Sequence, residues 1–133
     1  MVTRDDLVFL RDSKQREEEL TDQMELLRQR INDPIPEMIR SREFCERIEE
    51  LNAGMEETGR RLADTLEQDR IRKQRILEEI ASLPQDEAKL LRMRYLDKRS
   101  WQRIARDLCY SLSSVFNIHR RALQRLGIDS VPD

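Results

Sequence analysis

A chain of 133 residues has room for one domain, or for a small domain with an appendage. Charged residues make up 39 % of it and aromatics 5 %, and 3 Gly with 4 Pro are too few for the tight turns of a sandwich or barrel. The composition is that of an all-α chain, and it disfavours the large buried core that an enzyme cleft needs.

The net charge of −2 conceals an asymmetry. Residues 1–82 carry 15 basic and 21 acidic side chains, whereas residues 83–133 carry 10 and 6. An acidic front and a basic back imply two jobs, with the basic part the candidate for nucleic acid. No apolar run approaches the roughly 20 residues needed to span a bilayer, so no membrane contact is expected. The start, Met1 to Asp6, is polar and lacks a secretory h-region. Cys45 and Cys109 stand too far apart for a metal or disulfide framework and read as buried free thiols of a reducing cytoplasm. No metal or cofactor is expected.

The first predicted helix runs from about Thr3 to Ile31. Leu20, Met24, Leu27 and Ile31 alternate spacings of four and three as a heptad seam does, with Leu7, Leu10, Lys14 and Glu17 upstream on the stripe. Asn32-Asp33-Pro34-Ile35-Pro36 stops it, because proline removes donors and pushes its predecessor out of the helical basin. A second helix is predicted from Glu37 or Ser41 to Ser82. Its stripe is Phe44, Ile48, Leu51, Met55, Thr58, Leu62, Leu66, Asp69, Lys73, Ile76 and Ile80, with a slip near Leu66. Gly54 and Gly59 each cost about 1 kcal/mol relative to Ala, which leaves a break over 52–60 open. The short linker makes an antiparallel, coiled-coil-like hairpin the economical arrangement. Such a rod could serve as a homodimerisation arm.

Three short helices follow. The first spans Pro84 to Leu96, with Ala88, Leu91 and Tyr95 on one face. Ser100 caps a second, Trp101 to Leu108, and Ser111 caps a third that ends near Leu126 at Gly127. Ile104, Leu108, Tyr110, Val115 and Ile118, with the small Ala105, have the spacing of a helix-turn-helix, Tyr110 plugging the turn. Trp101 and Tyr95 point into the core. The expected organisation is thus all-α, with a hairpin arm over 1–82, a helix-turn-helix domain over 83–128 and a tail over 129–133.

The free side of the last helix is Ser113, Phe116, Asn117, Arg120 and Gln124, the face a helix-turn-helix lays into the major groove. Asn117 can pair with adenine, Arg120 with guanine or a phosphate, and Phe116 can touch a thymine methyl. Lys98, Arg99, Arg103, Arg106, Arg120, Arg121 and Arg125 stand against the single acid Asp107 over 98–125, enough to follow a phosphate backbone. Arg103, Arg106, Arg121 and Arg125 are the expected phosphate contacts. His119 has no triad partner or metal-ligand spacing, and both packing and a groove-edge contact stay open for it.

Leu83-Pro84, Tyr95, Ser100-Trp101, Ile104-Ala105, Tyr110-Ser111 and His119-Arg-Arg-Ala-Leu123 resemble the fourth region of bacterial RNA-polymerase sigma factors. With the hairpin in front, the chain is similar to small phage-encoded regulators built on that region. The resemblance implies a sequence-specific transcriptional role, double-stranded DNA as partner and RNA polymerase as a second partner. Two departures stand out. Cys109 occupies a turn position often taken by Gly, and Leu112-Ser113-Ser114 lacks the charged groups sigma factors place at the start of the recognition helix. They point away from an ordinary promoter element. A packaging adaptor that holds DNA in a ring, and a module that binds only polymerase or a sigma factor, are the competing readings. An enzyme is the weakest, since no nucleophile–base pair stands in a cleft.

Overall fold

The computed structural model describes residues 1–31 and 41–129, and all regular structure among them is helical. Five helices follow in order: α1 (Arg4–Ile31), α2 (Arg42–Ala81), α3 (Gln85–Leu91), α4 (Trp101–Leu108) and α5 (Leu112–Arg125). A π-helical turn, Arg92–Leu96, continues α3. The chain divides into two compact units, Met1–Lys14 with Arg70–Asp133, and Gln15–Asp69. The two ends of the expected arm therefore share a unit with the three short helices.

Local chemistry explains where the helices start. Thr3 and Asp6 form a reciprocal box: the Thr3 N–H donates to Asp6 Oδ2 at 3.1 Å, and the Asp6 N–H to Thr3 Oγ at 3.2 Å. Ser41 accepts from the Phe44 N–H and caps α2, while the alternative start at Glu37 lies outside the described residues. α2 is one continuous helix of 40 residues, so Gly54 and Gly59 do not break it. At 1.5 Å per residue it is about 60 Å long. Thr58 Oγ bonds the Gly54 carbonyl, and Arg60 and Arg61 both pair with Glu57, which supports the stretch the glycines weaken.

In the first unit α1 and α2 are antiparallel. The Met1 amino group lies 3.4 Å from Glu79, and Asp6 Oδ1 accepts from Arg72 at 2.9 Å and Arg75 at 3.2 Å. Burial works to raise the Asp6 pKa, but the bonds from Arg72, the Thr3 N–H and Arg75 outweigh it and hold the carboxyl below its ordinary value. One core joins Leu7 and Leu10 of α1, Ile76 and Ile80 of α2, Leu91 and Tyr95, and Ala122, Leu123, Leu126 and Ile128. A second core of Leu90, Met93, Ile104, Ala105, Val115 and Ile118 sits between α3, α4 and α5.

In the second unit no described residue is buried, as expected where only two helices can cover each other. Leu20, Met24, Leu27 and Ile31 are half-buried, as are Phe44, Ile48, Met55, Leu62 and Leu66, and Arg16 bonds Asp69. The seam differs from the sequence expectation at three places. Ser13 rather than Lys14 is covered in α1, and Asn52 and Gly59 rather than Leu51 and Thr58 in α2, with Leu51 63 % exposed. The phase of an unbroken α2 is set by its buried end. Counting back from Ile80 in alternating steps of four and three arrives at Gly59 and Asn52, one place beyond Thr58 and Leu51.

Candidate nucleic-acid interface

α4, the turn after it and α5 form a helix-turn-helix whose ends are fixed by identifiable bonds. The Ser100 and Ser111 hydroxyls accept from the N–H groups of Arg103 and Ser114. Cys109 closes α4 with φ 59° and ψ 39°, a left-handed conformation. The Tyr110 N–H reaches the Ala105 carbonyl at 2.9 Å and the Cys109 N–H reaches Arg106 at 3.2 Å, the Schellman pairing. Gly127, φ 71°, closes α5 in the same way through Ile128 to Leu123 and Gly127 to Gln124. The first closure thus puts a Cβ where α5 uses glycine, at a cost of about 1–2 kcal/mol.

Two sequence expectations are corrected here. Tyr110 does not plug the turn: it is 47 % exposed, because the Schellman closure turns the chain before its ring can reach the core. Cys109, expected buried, is exposed at the same turn, and Cys45 is half-buried; both are free thiols.

α5 has two unlike faces. Val115, Ile118, Ala122 and Leu123 are buried, while Ser113, Phe116, Asn117, Arg120 and Gln124 are exposed. Among the described residues none hydrogen-bonds the side chains of Asn117 or Gln124, and Arg120 is in no ion pair. Arg106 on α4 is likewise exposed and unpaired, and exposed Arg103 stands 3.8 Å from Asp107. These seven residues are all exposed on the two helices.

The remaining two expected contacts are engaged differently. Arg121 lies 3.3 Å from Asp86 in a solvent-exposed pair, which is worth little and exchanges readily. Arg125 Nε donates to Glu87 Oε1 at 3.0 Å and stands 2.9 Å from Oε2, and Glu87 is 1 % exposed. That pair ties α5 to α3. It was invisible in the sequence because its partners are 38 residues apart.

His119 resolves to packing. It is 4 % exposed, its Nε2 shares a 2.8 Å hydrogen bond with the Tyr95 hydroxyl, and its ring stands edge-on to Trp101 at 4.7 Å. Burial, helped by the Arg94 charge, lowers the His119 pKa to about 4, and burial raises that of Tyr95 to about 12. Both groups are neutral at pH 7. Trp101, half-buried, also meets Phe116 edge-on at 5.3 Å and lies under the Arg94 guanidinium at 4.4 Å. This aromatic chain links α5 to α4 and to the π-helical turn.

Among the described residues no group of three or more His, Cys, Asp or Glu is placed to hold a metal ion, and no helix is long and apolar enough to cross a membrane. No curated protein and no solved structure matches the chain significantly. Residues 79–126 match the family model described as Sigma-70, region 4. This part of the chain, with its capped α4–turn–α5 arrangement, is a sigma-region-four-like helix-turn-helix domain.

Proposed function

We propose that the protein is a sequence-specific DNA-binding transcriptional regulator that lays the outer face of α5 into the major groove. The observation that carries this is the division of α5 itself. A helix whose inner face is covered leaves the side chains of Asn117, Arg120 and Gln124 outward with no partner among the described residues, on a domain of the sigma-region-four kind. Asn117 and Arg120 read bases, with Ser113 and Gln124 beside them. Arg103, Arg106 and Arg121 follow phosphates, the surface pairs of Arg103 with Asp107 and of Arg121 with Asp86 being weak enough for a phosphate to displace. Arg125 serves α5 instead, by holding Glu87.

Residues 15–69 carry 16 acidic and 8 basic side chains, which would repel a duplex. That length is the surface for a protein, either a second copy of the chain or RNA polymerase. The combination of a charged hairpin with this domain supports a phage or prophage origin and action in the cytoplasm. Selection of duplexes from a randomised library by the purified chain tests the reading. A consensus should emerge, and Asn117→Ala and Arg120→Ala should each weaken its binding by about 1–3 kcal/mol. Enrichment of no sequence would contradict it and favour a scaffold or a protein-only module.

A further inference from the structure

Three apolar side chains stand exposed within seven residues at the leading end of α5: Tyr110 at 47 %, Leu112 at 40 % and Phe116 at 43 %. This is the end of a recognition helix that approaches base edges. Leu112 and Phe116, one turn apart, lie on one stripe of the helix. Phe116 is held rather than loose, since its ring packs edge-on against Trp101 at 5.3 Å, which itself packs on His119 at 4.7 Å. The polar groups on this first turn, Ser113 and Ser114, are short, and Ser114 is turned back to Ser111.

An exposed apolar cluster calls for an apolar occupant. A second copy of the same surface is disfavoured, because a two-fold pairing through this stripe would bring the two copies of exposed Arg120, one turn beyond Phe116, close together. Duplex DNA offers the complementary combination, a negative backbone for the arginines and, in the major groove, one apolar group on a base: the thymine 5-methyl. We infer that the DNA site is recognised through thymine methyl groups, with Leu112 and Phe116 as the reading side chains and Tyr110 at their edge. The inference rests on the DNA-binding reading above and names the chemistry that sets its specificity.

The test uses the full chain, the duplex it enriches from a randomised library, and the same duplex with every thymine replaced by deoxyuridine. The replacement keeps base pairing and removes only the methyl. The parent should bind the deoxyuridine duplex about fourfold more weakly for each methyl contacted, so about fifteenfold for two. Leu112→Ser and Phe116→Ala should each bind the thymine duplex more weakly and lower the discrimination between the two to about fourfold, while Asn117→Ala keeps it whole. Leu112→Ser carries the test if loss of the Trp101 contact unfolds Phe116→Ala. Equal affinity for both duplexes, a consensus without thymine, or undiminished discrimination in both apolar variants would overturn the inference. Salt-sensitive duplex binding that ignores the methyls overturns this inference alone; absence of duplex binding overturns the DNA-binding reading with it.

Discussion

Arg120 and Arg125 stand five positions apart on one helix, yet replacing each by alanine should produce different defects. Arg125 is the cation beside Glu87, a carboxylate only 1 % exposed whose Oε2 has no hydrogen bond of its own. Breaking a buried pair from one side costs about 3–5 kcal/mol, because the charge left behind stays desolvated. The Arg125 side chain is itself 55 % exposed, so water can enter where the guanidinium was, and about 2 kcal/mol is the better figure. For a unit of roughly 80 residues that lowers Tm by about 8–16 °C. Urea unfolding of Arg125→Ala, Glu87→Gln and the double variant measures the coupling, with the double variant recovering at least about 1 kcal/mol of the sum of the singles. Arg120→Ala, with no partner to strand, should unfold within about 0.5 kcal/mol of the parent and lose DNA affinity. The reasoning is refuted if Arg125→Ala is as stable as the parent, or if the singles add without coupling.

Other consequences follow from the same contacts. The unfolded chain takes up a proton at His119 near its ordinary value of 6.5, whereas the folded one resists until about pH 4. Stability should therefore fall by roughly 2–3 kcal/mol as pH drops across that window, and His119→Asn should flatten the slope. Asp6 acts in the same direction at lower pH, its lowered pKa giving stability that is present above its ordinary value of 3.8 and lost as pH falls further. Asp6→Asn should remove that acid limb in a pH series of thermal melts. Cys109→Gly should raise Tm, by the equivalent of about 0.5–1 kcal/mol, since relief of the left-handed strain exceeds the entropy glycine adds to the unfolded chain. Duplex affinity should fall steeply with salt, at a log–log slope of about −3 for three phosphate-bound arginines.

What could be read from the sequence was what short-range chemistry decides. Ser100, Ser111 and Gly127 marked the helix ends because a cap acts within four residues, and the exposed and buried faces of α5 followed from one period. The misplaced residues arose where a longer-range condition rules. Leu51 looks like a seam residue by type, but the phase of α2 is fixed by Ile76 and Ile80, some 25 residues on. Tyr110 looks like a plug until the left-handed closure at Cys109 is known. The pairs Arg125–Glu87 and Arg72–Asp6 join residues 38 and 66 apart, beyond any local pattern. Thr3 and Asp6 did carry a readable signal, the three-residue spacing of a capping box, and it points to the same carboxylate.

The most direct test of the central claim is protection of guanine N7, a major-groove atom, from dimethyl sulfate on the duplex the protein selects. The account predicts protected guanines with the parent chain and loss of protection at one of them with Arg120→Ala under conditions where the variant is still bound. Full binding that leaves every guanine N7 open to methylation would contradict it.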